Sequence, residues 1–112
     1  MQIKQKLILC VFACSLVQPV FGATAIGARD CGEWTNRKKD KFAALSAQGW
    51  LGGYMCGLNA MHEYSGNKDN PLSKITSTDQ IYLWMDNFCL KNPLANIADG
   101  GDALFIELMK KK

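Results

Sequence analysis

FAALSAQGWLGGYMCGLNAMHEY, residues Phe42 to Tyr64, runs without a proline and reads as one long helix that sets the fold class. Two stripes lie along it. Phe42, Leu45, Trp50, Tyr54, Leu58 and Met61 supply bulky apolar side chains, while Gly49, Gly53 and Gly57 recur every four residues, with Gly52 and Ala60 close to the same line. Each glycine costs about 1 kcal/mol relative to Ala inside a helix, so three in register need a compensating reason, and close approach of another backbone is the natural one. Gly49, Gly53 and Gly57 are therefore read as a helix-packing face. Another helix of the same domain is the first expectation for what it meets, and a partner protein the alternative.

Outward from this helix, Ser65 to Thr76 is polar and contains Gly66, Asn67, Asp69, Asn70 and Pro71, which marks a loop of about a dozen residues. Helix packing would be served by a shorter connection, so the excess either presents contacts or is a neutral surface excursion; on the first reading Tyr64, Asn67, Lys68, Asp69 and Asn70 are the candidate partner-contact residues. Ser77 with Gln80 three residues on is a capping box, and Asp79 adds negative charge to the same first turn. Ile81, Trp84, Met85, Phe88 and Cys89 then share one side of a helix running to about Leu90. Asn92-Pro93 reads as its end and as the cap and first position of a last helix, with Leu94, Ile97, Ala98, Gly101, Leu104, Phe105 and Leu108 inward and Lys110 to Lys112 at its close. On the other flank, residues 31–39 form a short helix or turn around Trp34, a core plug, preceded by a flexible lead from Ile26 to Asp30. Arg37-Lys38-Lys39-Asp40-Lys41 reads as a solvated helix end or loop rather than a binding patch. No alternating strand pattern occurs. The expected fold is an all-α, disulfide-stapled bundle of three principal helices plus a short N-terminal helix.

The first 25 residues read differently. Lys4 and Lys6 precede an uncharged apolar run from Leu7 to Val17, Pro19 breaks it, and Ala23-Thr24-Ala25 offers a small-residue cleavage site. This is the layout of a secretory signal peptide, with an apolar run too short to span a membrane. Residues 1–25 are thus assigned to a leader and 26–112 to a single helical domain in the periplasm. Removing Lys4 and Lys6 leaves eleven basic and ten acidic residues, a net charge of +1, which argues against nucleic-acid binding and anionic-membrane attachment. Of five cysteines, Cys10 and Cys14 leave with the leader. Cys31, Cys56 and Cys89 then sit in an oxidising compartment, enough for one bridge and one spare thiol.

These residues argue against catalysis and against a metal. Cys31, Cys56 and Cys89 lie 25 and 33 residues apart with no Cys-x-x-Cys pair, and His62 is the only histidine. Cys56 and His62, six residues apart on one helix, point to different faces. No cofactor, metal or catalytic residue is expected, and the protein is read as a non-enzyme.

The order of pieces has a counterpart among known families. An early Cys31 near Trp34, then Gly49-Trp50-Leu51-Gly52-Gly53-Tyr54-Met55-Cys56-Gly57, then Trp84-Met85-Asp86-Asn87-Phe88-Cys89 and Asn92-Pro93 resemble the small periplasmic proteins of the Rap/Tai type VI amidase immunity family. The layout is also similar to the HdeA acid-stress chaperones. The first resemblance implies a helical periplasmic protein, often a homodimer, that occludes the groove of a peptidoglycan amidase without chemistry of its own. The second implies a chaperone that loosens in acid, and a small envelope protein with an unrelated partner is a third reading. Cys89, on the core side of its helix, stands where the resemblance would pair it with Cys31, leaving Cys56 as the free thiol. Closing that loop contributes about 4 kcal/mol in the chain-entropy picture. Mass spectrometry of protein recovered from the envelope is expected to show a chain beginning near Ile26; an unprocessed N-terminus would contradict the leader.

Overall fold

A computed structural model describes residues 25–112, so the leader assigned to residues 1–25 lies, but for Ala25, outside the described residues. The described chain is all-α: α1 (Cys31–Asn36) continues into a 3-10 turn (Arg37–Lys39), followed by α2 (Lys41–Tyr64), a second 3-10 turn (Pro71–Lys74), α3 (Thr78–Lys91) and α4 (Ile97–Lys110). Three helices carry full capping boxes, Asp30 with Glu33, Ser77 with Gln80, and Asn96 with Asp99. Asn92 ends α3 and does not open α4. Pro93 and the fully exposed Leu94 belong to the connecting turn, and Asn96 is the cap because its side chain accepts from the Ala98 and Asp99 amides.

The last helix is the hub. Along α4, Ile97, Ala98, Gly100, Gly101, Leu104, Phe105 and Leu108 are buried, and α4 packs against α2, α3 and the second 3-10 turn. Close approach of helices happens here and not at the glycines of α2. A Cβ on Gly100 would stand 2.7 Å from Met85 Cε and 2.9 Å from Phe88 Cδ1 of α3, and one on Gly101 would stand 2.9 Å from Tyr54 Cδ1 of α2. Adjacent glycines point about 100° apart on a helix, so one turn of α4 admits a neighbour on each side. Among the described residues nothing lies within 4 Å of a Cβ added at Gly49, Gly53 or Gly57, and all three are exposed, so none of the described helices packs on them. The inward face of α2 is instead Ala47, Leu51 and Met55, with Leu58, Trp50 and Tyr54 half-buried beside it; Phe42, Leu45 and Met61 face outward. Both faces of α2 are apolar, and that symmetry hides which one is the core.

Cys31 and Cys89 are joined, tying α1 to α3 across 58 residues of chain. Trp34 beside the bridge is fully buried and donates through Nε1 to Asp86 Oδ1 at 2.8 Å. Arg37 departs from the solvated end expected of the basic run. It is 4% exposed, its guanidinium lies 4.0 Å over the Trp34 ring, and it donates to Asp86 Oδ1 at 2.7 Å and to the Trp34 carbonyl at 2.9 Å. The 3-10 turn makes this possible by folding Arg37 back over α1, while Lys38, Lys39 and Lys41 stay exposed. The lead before α1 is fastened too: Ile97 N donates to Arg29 O, Cys31 N to Ala95 O, and Trp50 Nε1 to Ile26 O, each at 2.9 Å.

Gly100→Ala gains helix propensity but overpacks a closed site, with an expected net loss of about 1–2 kcal/mol in urea unfolding. Gly49→Ala, with open space around it, should raise stability by up to about 1 kcal/mol. Equal effects of the two substitutions would place the close packing elsewhere.

Candidate contact surfaces

The candidate contact residues gather at the C-terminal end of α2. Tyr64, Asn67, Lys68, Asp69 and Asn70 are all exposed, and Asn67 to Asn70 line a shallow polar hollow with Asn59 and Glu63. Gly66 turns the chain out of the helix with a φ of +91°, a conformation in which a side chain would be strained. The tip is held rather than loose. Asp69 Oδ1 meets His62 Nε2 at 2.8 Å, and Asn67 Nδ2 donates to the His62 carbonyl at 2.9 Å. His62 is itself fixed edge-on against Phe105 of α4, with ring centroids 5.7 Å apart.

The second half of the excursion serves packing. Pro71 is fully buried, Leu72 N donates to Asn59 Oδ1 at 3.1 Å, and Lys74 Nζ reaches the last turn of α4, donating to Leu108 O at 2.6 Å and to Lys111 O. Lysine at that place answers the free carbonyls and negative pole of a helix end. The expectation that the whole segment Ser65 to Thr76 is surplus to packing therefore holds only for 65–70. The sequence signal was present in the proline and lysine, but their partners come from α2 and α4 and are invisible locally.

A second surface is the outward side of α2, where Gly49, Gly53 and Gly57 lie. Cys56 is free and exposed there. It borders an apolar hollow of about 270 Å³ walled by Met55, Leu72, Ile75 and Ile81. Its thiol and the His62 ring are on different faces, Cys56 open and His62 against Phe105. Among the described residues no group of three or more His, Cys, Asp or Glu side chains could hold a metal ion, and no helix is long and apolar enough to cross a membrane. Comparison with known families, curated proteins and solved structures finds no match to this chain.

Two groups near these surfaces titrate unusually. Burial of the ring, and then its hydrogen bond to Asp102 Oδ1 at 2.7 Å, pushes the Tyr54 hydroxyl up to about 12 from an ordinary 10.0. The hydrogen bond from His62 holds the Asp69 carboxyl below its usual 3.8. The two shifts act at opposite ends of the pH scale. Tyr54 binds its proton more tightly when folded, so its contribution to stability is complete below about 10 and is lost as pH rises toward 12. The Asp69 contact is present above the ordinary carboxylate range and is lost as pH falls through the depressed value. Ultraviolet titration should show one of the three tyrosines ionising near 12, a step absent in Tyr54→Phe. By carboxyl NMR, His62→Gln should raise the Asp69 midpoint; no movement would mean that the ring does not set it.

Proposed function

We propose that this protein is an exported, non-enzymatic binding protein that works by occlusion, inserting the tip Tyr64 to Asn70 into a groove of a protein partner. The observation that carries the reading is the combination of full exposure and internal bracing. A tip already held at Asp69 and Asn67 by His62 loses less conformational entropy when it docks, so more of its contact energy appears as affinity. Its polar side chains, set around an exposed aromatic at Tyr64, suit a cleft lined by hydrogen-bonding groups. The partner class is a peptidoglycan amidase, taken from the family resemblance drawn above. In that setting protection requires only that the cleft be filled, and no residue of this chain need react.

The test is binding of the 26–112 chain to peptidoglycan amidases delivered between cells, with inhibition of cell-wall hydrolysis as readout. Tyr64→Ala, Lys68→Ala and Asn70→Ala remove side chains that make no hydrogen bond among the described residues, so the melting temperature should stay within about 2 °C. Together they should weaken inhibition by about 30-fold or more, as loss of a central contact does. Unchanged inhibition would overturn the tip as the contact, and absence of inhibition by the unsubstituted chain would overturn the amidase.

A further inference from the structure

Arg37 carries more donors than its surroundings use. Both of its hydrogen bonds leave from one nitrogen, Nη1, which donates to the Trp34 carbonyl at 2.9 Å and to Asp86 Oδ1 at 2.7 Å. A guanidinium has no acceptor and a donor on every nitrogen, so the Nε–H and both hydrogens of Nη2 are left over. Among the described residues nothing accepts from them, and Nε is covered. A buried donor of a charged group left without an acceptor is costly, and a further acceptor relieves it. Nε and Nη2 form one edge of the planar group, the edge that meets a carboxylate side-on through two parallel bonds.

Arg37 lines a hollow of about 190 Å³ together with Arg29 of the lead, Glu33 and Asn36 of α1, and Ala43 and Ala47 of α2. Ala43 stands in the first turn of α2. Asp40 takes the Phe42 amide on its side chain and the Ala44 amide on its carbonyl, and the Ala43 amide between them has no partner among the described residues. The positive pole of a 24-residue helix therefore faces this end of the molecule, where Lys38, Lys39 and Lys41 are all exposed.

We propose that this hollow is a binding site for a small aliphatic carboxylate, held side-on by the Nε and Nη2 edge of Arg37 and by Arg29 at the first turn of α2. The planar two-donor edge matches the two oxygens of a carboxylate. Glu33 and Asp86 already neutralise Arg29 and Arg37, so the helix pole and the nearby lysines are left to balance the ligand, enough for one negative charge and short of the two on a phosphate. Ala43 and Ala47 line the rest of the hollow with methyl groups, which suit a short hydrocarbon tail. Since Nε is covered, entry requires one side chain to yield. The Arg29–Glu33 pair is the one that can, because its contact is 3.3 Å long, its side chains are 40% and 52% exposed, and such pairs are weak. Arg29 turns from Glu33 to the incoming carboxylate, while Glu33 keeps its bond to the Asp30 amide and the cap of α1. A free short-chain acid and the C-terminus of a peptide ending in a small residue offer the same chemistry. The hollow lies at the start of α2 and the tip at its end, so binding here is independent of the tip.

The test is titration of the 26–112 chain with sodium acetate at constant ionic strength, followed by proton–nitrogen correlation spectra of the Arg37 Nε–H and the Ala43 amide. Both signals should shift together and saturate in the millimolar range, as suits a single bidentate pair, and sodium chloride in place of acetate should move neither. Arg29→Gln should weaken acetate binding about fivefold, and Glu33→Gln, which keeps the cap, should tighten it by about the same factor. Ala43→Leu fills the hollow without removing a donor and should abolish the shifts while the far-ultraviolet spectrum is kept. An alanyl-alanine dipeptide that binds about tenfold tighter than acetate, with its C-terminal amide inactive, would identify a peptide terminus as the ligand; equal or weaker binding would identify a free acid. No saturable shift of the Arg37 Nε–H up to about 100 mM acetate, an equal response to chloride, or saturation unchanged by both Arg29→Gln and Ala43→Leu would overturn the proposal.

Discussion

Contact of three helices at Gly100 and Gly101 is the constraint on which the rest of this structure depends. Met85 and Phe88 of α3 press on one of these glycines and Tyr54 of α2 on the other, so α4 can be central only where it has no side chains. Most of the core then follows from the position of α4: Leu104, Phe105 and Leu108 join the buried cluster that holds Ala47, Leu51 and Met55 of α2, and Phe105 carries the His62 ring. Tyr54, held over Gly101, reaches Asp102 on the next turn. A domain of this size has a limited core, so a close approach of this kind, which removes backbone and side chain from water together, counts for a large share of its cohesion.

The N-terminal edge is held by a different principle. α1 is only six residues long and would not persist alone. A covalent bridge to α3, a buried tryptophan and a buried arginine fix it, and the last two converge on Asp86 Oδ1. Arg37 donates twice and stacks on Trp34, while its Nε finds no partner among the described residues. Breaking such a pair is costly because it strands a buried charge, so Asp86 serves mainly to make the interior position of Arg37 tolerable.

Function is read at the two surfaces the core leaves over. The tip after α2 is polar, exposed and braced from beneath, and the outward side of α2 is apolar, uncharged and unbraced. The first presents hydrogen-bonding groups to solvent, and the second presents Phe42, Leu45 and Met61.

Helix content, the bounds of α2, the capping box at Ser77 and the inward residues of α3 were legible in the sequence because each depends on neighbours within a few positions. The pairing of Cys31 with Cys89 was reached with the help of a family resemblance. Which side of α2 is the core was not legible, since apolar residues occupy both sides and periodicity cannot rank them. Nor was the role of the glycines: the recurrent set at 49, 53 and 57 announced close packing, yet Gly101, read only as one inward residue among several, and its neighbour Gly100 provide it. The burial of Arg37, the anchoring of Pro71 and Lys74, and the bracing of Asp69 by His62 likewise came only from the tertiary structure. Local order follows from spacing along the chain, whereas burial follows from which distant segments arrive, and here that was decided by the one helix turn narrow enough for two others to reach it.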